Sequence, residues 1–485
     1  MFTSRRMKSK KVNSFLKKNI VIICILLLSF FLRVYQLESQ MMFIGDFAWF
    51  YLSARDLLLT HSIPLVGITS SQTWLHQGPL WTYMLAIVLK LFSYSPLSGG
   101  YLAVGIGVLS VAVVYQTGLE LFSKKVGLIC AFLFATSPLI IVFSRMPYHT
   151  SPIPLFITLL LLYTYRWLKK GPQYFPYVLL FCAILYNFEL ATFSVVPVVG
   201  VFFLYGFIKK RKYTEFYKSK KTIFYSVIAI IVPMFPILIY DFKNGFLQTI
   251  KFVHWTIFLR ILKPIIEGSN SNIDFAKSLS FFFKEFQRTI FLDNAPISLL
   301  ILTLVVCVIG YRFIKRRIFT LQEQIVLLYF CIPFFAFFLN GTLSEAYIPV
   351  LFPTVLIIIS FYLLTFFNTF KKEKILFISV FLLGLINVQS IIKNNYFMGQ
   401  PGGYGVPFST RAEAAWKIIS LSNYSKVAIV PRNGGNGYES FIMPYEYLVW
   451  LYGGGVSQDG DPVSVSETGN SILIRKENKT YEIIK

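Results

Sequence analysis

The sequence lacks the groups that brace a secreted or metal-built chain. It has five cysteines in 485 residues, and Cys24, Cys130, Cys182, Cys307 and Cys331 all lie inside apolar runs with no C-x-x-C or other metal spacing. That argues against disulfides and thiolate metal sites. Acids are scarce, 22 Asp+Glu against 46 Lys+Arg, for a net charge of +24. In a soluble protein that excess would point to nucleic acid, but here the basic residues sit in short clusters between apolar runs and report topology. No nucleic-acid partner is expected. The glycine clusters Asn433–Gly437 and Gly453–Gly455 lack the strand-before, helix-after order of a phosphate loop and read as turns. No internal repeat or low-complexity tract occurs, and no small-residue cleavage site follows the first apolar run. That run reads as an uncleaved signal anchor.

What is abundant is apolar surface. The chain is 55% hydrophobic and 18% aromatic, with mean hydropathy +0.63, against roughly 45–50% apolar content in soluble domains. The expected spans are Asn19–Tyr35, Gly99–Leu121, Val126–Phe143, Pro152–Leu168, Tyr174–Tyr186, Leu190–Ile208, Thr222–Tyr240, Pro296–Phe313, Gln324–Leu339, Tyr347–Phe367 and Ile375–Ile392. These make about eleven helices, since in lipid a helix satisfies its own backbone. Leu80–Phe92 is too short for a standard crossing, and charge decides its place. If it stays on one side, Lys124/Lys125, Arg166/Lys169/Lys170, the run Lys209–Lys221, Arg312/Lys315–Arg317 and Lys371/Lys372/Lys374 all join the basic N-terminus on the cytoplasmic face. If it crosses, they all fall outside.

The expected fold is therefore an all-α polytopic membrane protein with a juxtamembrane helix in its first outer loop, plus a small α/β C-terminal extracytoplasmic domain. The divisions are a basic cytoplasmic N-terminus (1–18), a transmembrane domain (19–392) with outer loops at 36–98 and 241–295, and the tail (393–485). In the tail, Thr410–Ser420 reads as helix, Lys426–Pro431, Val463–Ser466 and Ser471–Arg475 as strands, and Phe441–Tyr452 as an aromatic run. A domain of this size buries a modest core and is expected to dock on the membrane loops. The expected location is the cell membrane, multi-pass, with the N-terminus cytoplasmic.

The inner loops are little more than Lys and Arg, so chemistry is sought outside. Asp46 opens the first outer loop amid Phe43, Phe47, Trp49, Phe50 and Tyr51. It is a helix cap or a general base in a partly desolvated place. Arg55 and Asp56 form an exposed helix face or bind an anion. His76, before Gly78-Pro79, faces the loop cavity and is a candidate substrate contact, whereas His61 reads as surface. Arg145 either snorkels to headgroups or takes the phosphate of a lipid-linked substrate with its planar fork, and His149 beside it is a further candidate contact. Glu189 and Glu345 stand at outer span ends, where acids are costly and so functional or paired, Arg145 and Lys251 being available partners. Tyr240–Phe246 and Lys251–Arg260 read as an interfacial basic-aromatic segment.

At these residues the chain resembles the GT-C glycosyltransferases, specifically the bacterial protein O-mannosyltransferase-like branch related to lipid A aminoarabinose transferases. The ordered phrases are Gly45-Asp46, Ile63–Gly67 with Thr69-Ser70, His76–Tyr83, Ser144-Arg145 with Pro152–Leu162, Pro236–Asp241 and Gly341–Pro353. The resemblance implies a polyprenyl-phosphate sugar donor and inverting hexosyl or pentosyl transfer to an acceptor in a protein, lipid or cell-envelope glycan, with Asp46 as base and Arg145 near the donor phosphate. Membrane lipids are the other partners. No cofactor is required, and a divalent ion beside Asp46 is left open. Phe50, where a second acid often stands, and Glu189, where a histidine is expected, depart from the pattern. The rival readings are a transporter or flippase of lipid-linked sugars and a non-enzymatic envelope assembly protein.

Overall fold

The computed structural model describes residues 19–70, 72–256, 258, 275–292, 294–316, 319–340, 343–399, 405–431, 439–467, 471–477 and 479–484. The basic segment 1–18, the glycine cluster 433–437 and the end of the Lys251–Arg260 stretch lie outside the described residues.

The apolar runs are helical. They form α1 (Asn19–Val34) and, after α2 (Gly45–Thr60) and α3 (Leu80–Leu91) of the first loop, α4 (Leu97–Leu121), α5 (Lys124–Thr136), α6 (Pro138–Phe143), α7 (Ile153–Lys170) and α8 (Phe175–Phe188). α9 (Val196–Ile208), α10 (Lys220–Lys243), α11 (Phe275–Ile290), α12 (Ala295–Arg316), α13 (Leu321–Asn340), α14 (Phe352–Thr369) and α15 (Glu373–Lys393) complete the membrane part. Among the described residues 7 helices are long and apolar enough to cross a membrane, fewer than the eleven runs. The difference has local causes. Pro138 splits the run 126–143 into α5 and α6, α8 has only 14 residues, and α7 ends in Arg166, Lys169 and Lys170. The expected surface helix is present as α3, 12 residues long with Trp81, Leu85 and Leu89 buried. α14 lies at the centre, with 67% of its apolar window buried, and α12 at the lipid edge with 17%.

Two arginines hold the start of the bundle. Arg33, in α1, is fully buried; its Nη1 donates to Ser29 Oγ (2.7 Å) and Ala135 O (3.3 Å), and its Nη2 donates to Phe134 O (3.3 Å). Pro138 has no N–H, so the carbonyls ending α5 lack their usual helical donor at that position. Arg33 supplies donors there. Arg145 completes the exchange: its Nη1 donates to Arg33 O and Tyr35 O, both at 2.7 Å, and so caps α1. Gly107 of α4 gives them room, since a Cβ there would lie 2.5 Å from Ser144 Cβ and 3.0 Å from Arg33 Nε.

In the tail, α16 (Phe408–Leu421), β1 (Lys426–Pro431), α17 (Met443–Leu451), β2 (Gly455–Val456), β3 (Asp461–Glu467), β4 (Ser471–Lys476) and β5 (Lys479–Ile484) form a five-stranded sheet in the order β2-β1-β3-β4-β5. β1 pairs in parallel with β2 and β3, and β3-β4-β5 is an antiparallel meander with Val465 opposite Ile474 and Ile472 opposite Ile483. The period-2 set Val463, Val465, Ile472 and Ile474 is buried, as are Ala414, Ala415, Ile418 and Ile419 of α16, which packs on β4 and β5. Arg411 of α16 grips Glu467 of β3 through Nε (2.8 Å) and Nη2 (2.7 Å), and Tyr445 of α17 donates to the same carboxylate.

This unit sits on the first loop. Phe408 N–H donates to Met41 O (3.0 Å), Ser409 Oγ to Ser39 O (3.0 Å) and Tyr447 OH to Tyr94 O (2.7 Å). Phe43 meets Phe408 and Tyr447 edge-on, each at 5.9 Å. Arg411→Leu would leave Glu467 buried with one donor. Breaking such a pair costs about 3–5 kcal/mol, so in the full-length protein this variant should expose the tail to protease at a temperature where wild type resists. Equal resistance would show that the ion pair does not hold the sheet to its helices.

Candidate active site

Several loops contribute to the site. Ile44 is extended and Gly45 begins α2, so Asp46 falls in the first helical turn. A Cβ on Gly45 would stand 2.2 Å from Ser440 O, so only glycine admits the tail this close. Ser440 Oγ donates to Asp46 Oδ1 at 3.1 Å, and the carboxylate is half-buried. On the same side of α2, Phe47 packs on Tyr148 (4.4 Å between ring centres) and Phe50, one turn from Asp46, packs on His149 (5.2 Å).

His149 leads to Glu189. Its Nε2 lies 3.1 Å from Glu189 Oε2, which also accepts from Gln77 Nε2 at 3.0 Å, and all three side chains are buried. Glu189 Oε1 takes the Ala191 N–H (3.3 Å) and so caps the turn Leu190–Val195. The loops that carry Gln77, His149 and Glu189 therefore converge on one carboxylate. Gln77 Oε1, His149 Nδ1 and Thr150 Oγ1 are buried with no hydrogen-bond partner among the described residues. Buried polar atoms are normally satisfied, so this group retains capacity for a polar ligand or water.

His76 is held next to that cluster. Its backbone N–H donates to Gln248 Oε1 (3.1 Å) and its carbonyl accepts from Gln248 Nε2 (3.2 Å), a ladder made by a side chain. Asp241 fixes Gln248 by accepting its N–H (3.0 Å), and the His76 ring packs on Tyr240 at 5.3 Å. Gly78 passes directly over Asn187, where a Cβ would be 2.1 Å from Oδ1, and Asn187 Nδ2 donates to Pro233 O of α10 at 3.0 Å.

The remaining candidates lie elsewhere. Arg55 pairs with its neighbour Asp56 (2.6 Å) and lies over Trp450 of α17 at 5.0 Å, while Asp56 is exposed. Burial raises the carboxyl of Glu446 in α17 above its ordinary value, and the Arg55 charge opposes it. Arg145 is turned inward, 1% exposed, under the Phe397 ring at 4.6 Å, so it is not a snorkelling cation. Glu345 pairs with Arg288 (3.1 Å) and not with Arg145 or Lys251. Arg288 also binds Glu285 (2.8 Å) and donates from Nε to Tyr396 OH (2.7 Å). Burial raises the Glu285 carboxyl, with the Arg288 charge opposing. His61 is exposed at the end of α2.

Sequence reading gave no role to Gln77, Asp241, Gln248 or Arg288. Their partners are distant in the chain and leave no local signal. Arg33 did leave one, as a charge inside an apolar run. Among the described residues no group of three His, Cys, Asp or Glu side chains is arranged to hold a metal.

Glu189→Leu would leave the Gln77 amide and the His149 ring without their acceptor, at about 1–3 kcal/mol for each buried group. Glu189→Gln keeps an acceptor oxygen and should lose less. The melting temperatures of the three purified proteins should fall in the order wild type, Gln, Leu, and identical values would show that the contacts carry no energy.

Residues 76–240 match the family model described as dolichyl-phosphate-mannose-protein mannosyltransferase. That segment runs from His76 through the His149–Glu189 cluster to Tyr240. No curated protein matches the sequence. Among solved structures, the oligosaccharyltransferase of Archaeoglobus fulgidus superimposes with TM-score 0.56 at 16% identity, over 91% of this chain and 62% of that one. The same enzyme, AglB, in complex with an inhibitory peptide and a dolichol-phosphate, gives TM-score 0.54 at 16% identity over 90% and 64%. ArnT from Cupriavidus metallidurans in the apo state gives 0.53 at 10% identity over 91% and 75%. The chain thus spans less than two thirds of the length of the oligosaccharyltransferase. Identities this low speak for the fold alone: the chain shares the helical fold of these oligosaccharyltransferase and ArnT structures.

Proposed function

We propose that the protein is an integral membrane glycosyltransferase that moves a sugar from a polyprenyl-phosphate donor to an acceptor on the outer face, with inversion and with Asp46 as general base. The observation that carries this reading is the placement of Asp46 on a GT-C fold. It is a half-buried carboxylate in the first turn of α2, one turn from the Phe50 contact with His149.

The chemistry asks for few groups. Asp46 accepts the acceptor's proton as the nucleophile attacks the anomeric carbon, the bond to the donor phosphate breaks, and inversion follows from attack opposite the leaving group. Proton removal of this kind contributes about 10²–10⁴ in rate. Gln77, His149 and Thr150, with unfilled hydrogen-bonding capacity in one buried cluster, fit the hydroxyls of a sugar. Arg145 uses Nη1 to cap α1 and keeps its Nε–Nη2 edge without a partner, the fork that a phosphate oxygen pair takes. Phe50 and Glu189, the departures from the family pattern, meet the same histidine from two sides, which keeps His149 in place without a second acid on α2.

The test is transfer from radiolabelled polyprenyl-phosphate sugars to membrane acceptors, with wild type beside Asp46→Asn. The variant should lose roughly two orders of magnitude or more, and undiminished transfer would remove Asp46 as the base. A phosphatase that folds only outside the cytoplasm, fused after Lys485, should be active; an inactive fusion would place the tail, and the site under it, on the other face.

A further inference from the structure

On the basic face, far in sequence from the Asp46 loop, α7, α9 and α13 surround a cavity of about 960 Å³. Its floor and walls are apolar, from Val201, Phe202, Leu321 and Leu328, and its rim carries Lys169, Lys209, Lys210, Arg211 and Lys212. No acid lines it. The acids nearby are engaged: Glu120 by Arg166 and by Lys170 (3.4 Å), Glu215 by Lys218 (2.8 Å). Lys209, Lys210, Arg211 and Lys212 have no ion-pair partner among the described residues.

Lysines that merely snorkel at helix ends explain a basic edge. They do not explain a pinned arch beside a half-open hollow. The chain leaves α9 and turns through Lys210, a left-handed residue with φ 50°. Arg211 N–H donates to Gly206 O (2.7 Å), and the Tyr213 ring lies against Gly206, where a Cβ would come within 2.3 Å of it. Trp167 Nε1 donates to Tyr213 O at 2.8 Å and fastens the arch to α7. The geometry therefore fixes the backbone that carries four cations at the mouth of a partly apolar hollow. On the same helix Leu204, Phe207 and Ile208 are 59%, 62% and 72% exposed.

We propose that this cavity binds one anionic phospholipid from the leaflet on the basic face, its phosphate beneath Lys209–Lys212 and its chains along α9 and α13. A basic pocket between helices at the level of the headgroups supplies the phosphate contacts. The apolar walls distinguish a lipid from a free phosphate compound, which would leave them wet. The site is independent of the glycosyl-transfer reading.

The test uses the full-length protein in detergent, with native mass spectrometry after exchange into micelles containing phosphatidylglycerol or phosphatidylcholine. One phosphatidylglycerol should be retained per chain, and phosphatidylcholine should not. Retention should fall roughly tenfold or more in Lys210→Gln/Lys212→Gln. It should fall also in Leu328→Trp, or in Val201→Trp if the first does not fold, because either fills the wall and leaves every charge in place. Lys220→Gln/Lys221→Gln, an equal loss of charge outside the cavity, should retain lipid as wild type does. Equal loss in both lysine pairs, or unchanged retention after the wall is filled, would reveal diffuse charge attraction and overturn the proposal. Binding of inorganic pyrophosphate without retention of phosphatidylglycerol would overturn it too, in favour of a soluble ligand.

Discussion

The bundle depends on an exchange between two buried cations. A helix end away from water leaves carbonyls that must find donors, and here α1 and α5 end against each other. Arg33 of α1 donates to the end of α5, and Arg145, just past α6, donates to the end of α1. No ion pair with an acid joins them. The negative ends of two helices do the work of a counter-charge, at distances where each guanidinium also makes ordinary hydrogen bonds. Removing either side chain leaves the carbonyls that it caps without that donor. Because Arg145 opens the loop that carries His149, the same exchange sets where the second outer loop meets α2.

Around that frame the site is assembled from partners far apart in sequence. Glu189 draws in Gln77 from 112 positions away and His149 from 40, and His76 is matched to Gln248 over 172. Each element brings a single group, and the precision comes from close passages of small residues: Gly45 against Ser440, Gly78 against Asn187 and Gly107 against Ser144. The helices carry little of the chemistry themselves. They fix the ends of loops that would otherwise have no shape.

Much of the fold was legible in the sequence. The apolar runs gave the helices, and the short run at 80–92 forms the 12-residue α3. Period-2 patterning located β1, β3 and β4, because each has a buried face. β2, two residues long, and β5, with mostly exposed positions, bury too little to leave a pattern. The break at Ser137-Pro138 was readable in principle, yet the run around it is so apolar that it passes as one span. Side-chain partnerships were not legible. Arg145, Glu345 and Arg55 were recognisable as charges at membrane ends, but what a charge pairs with is decided by tertiary contacts: backbone carbonyls for Arg145, Arg288 for Glu345, and Asp56 and the Trp450 ring for Arg55.

The contact between Ser440 and Asp46 spans 394 positions of chain. The carboxylate is synthesised 394 residues before its hydroxyl partner, so the contact cannot form while the ribosome is still making the helices between them. A chain interrupted anywhere in α4 to α15 can insert a bundle but leaves Asp46 without the tail that seats it. The geometry of the acid is thereby set only once the tail has been made.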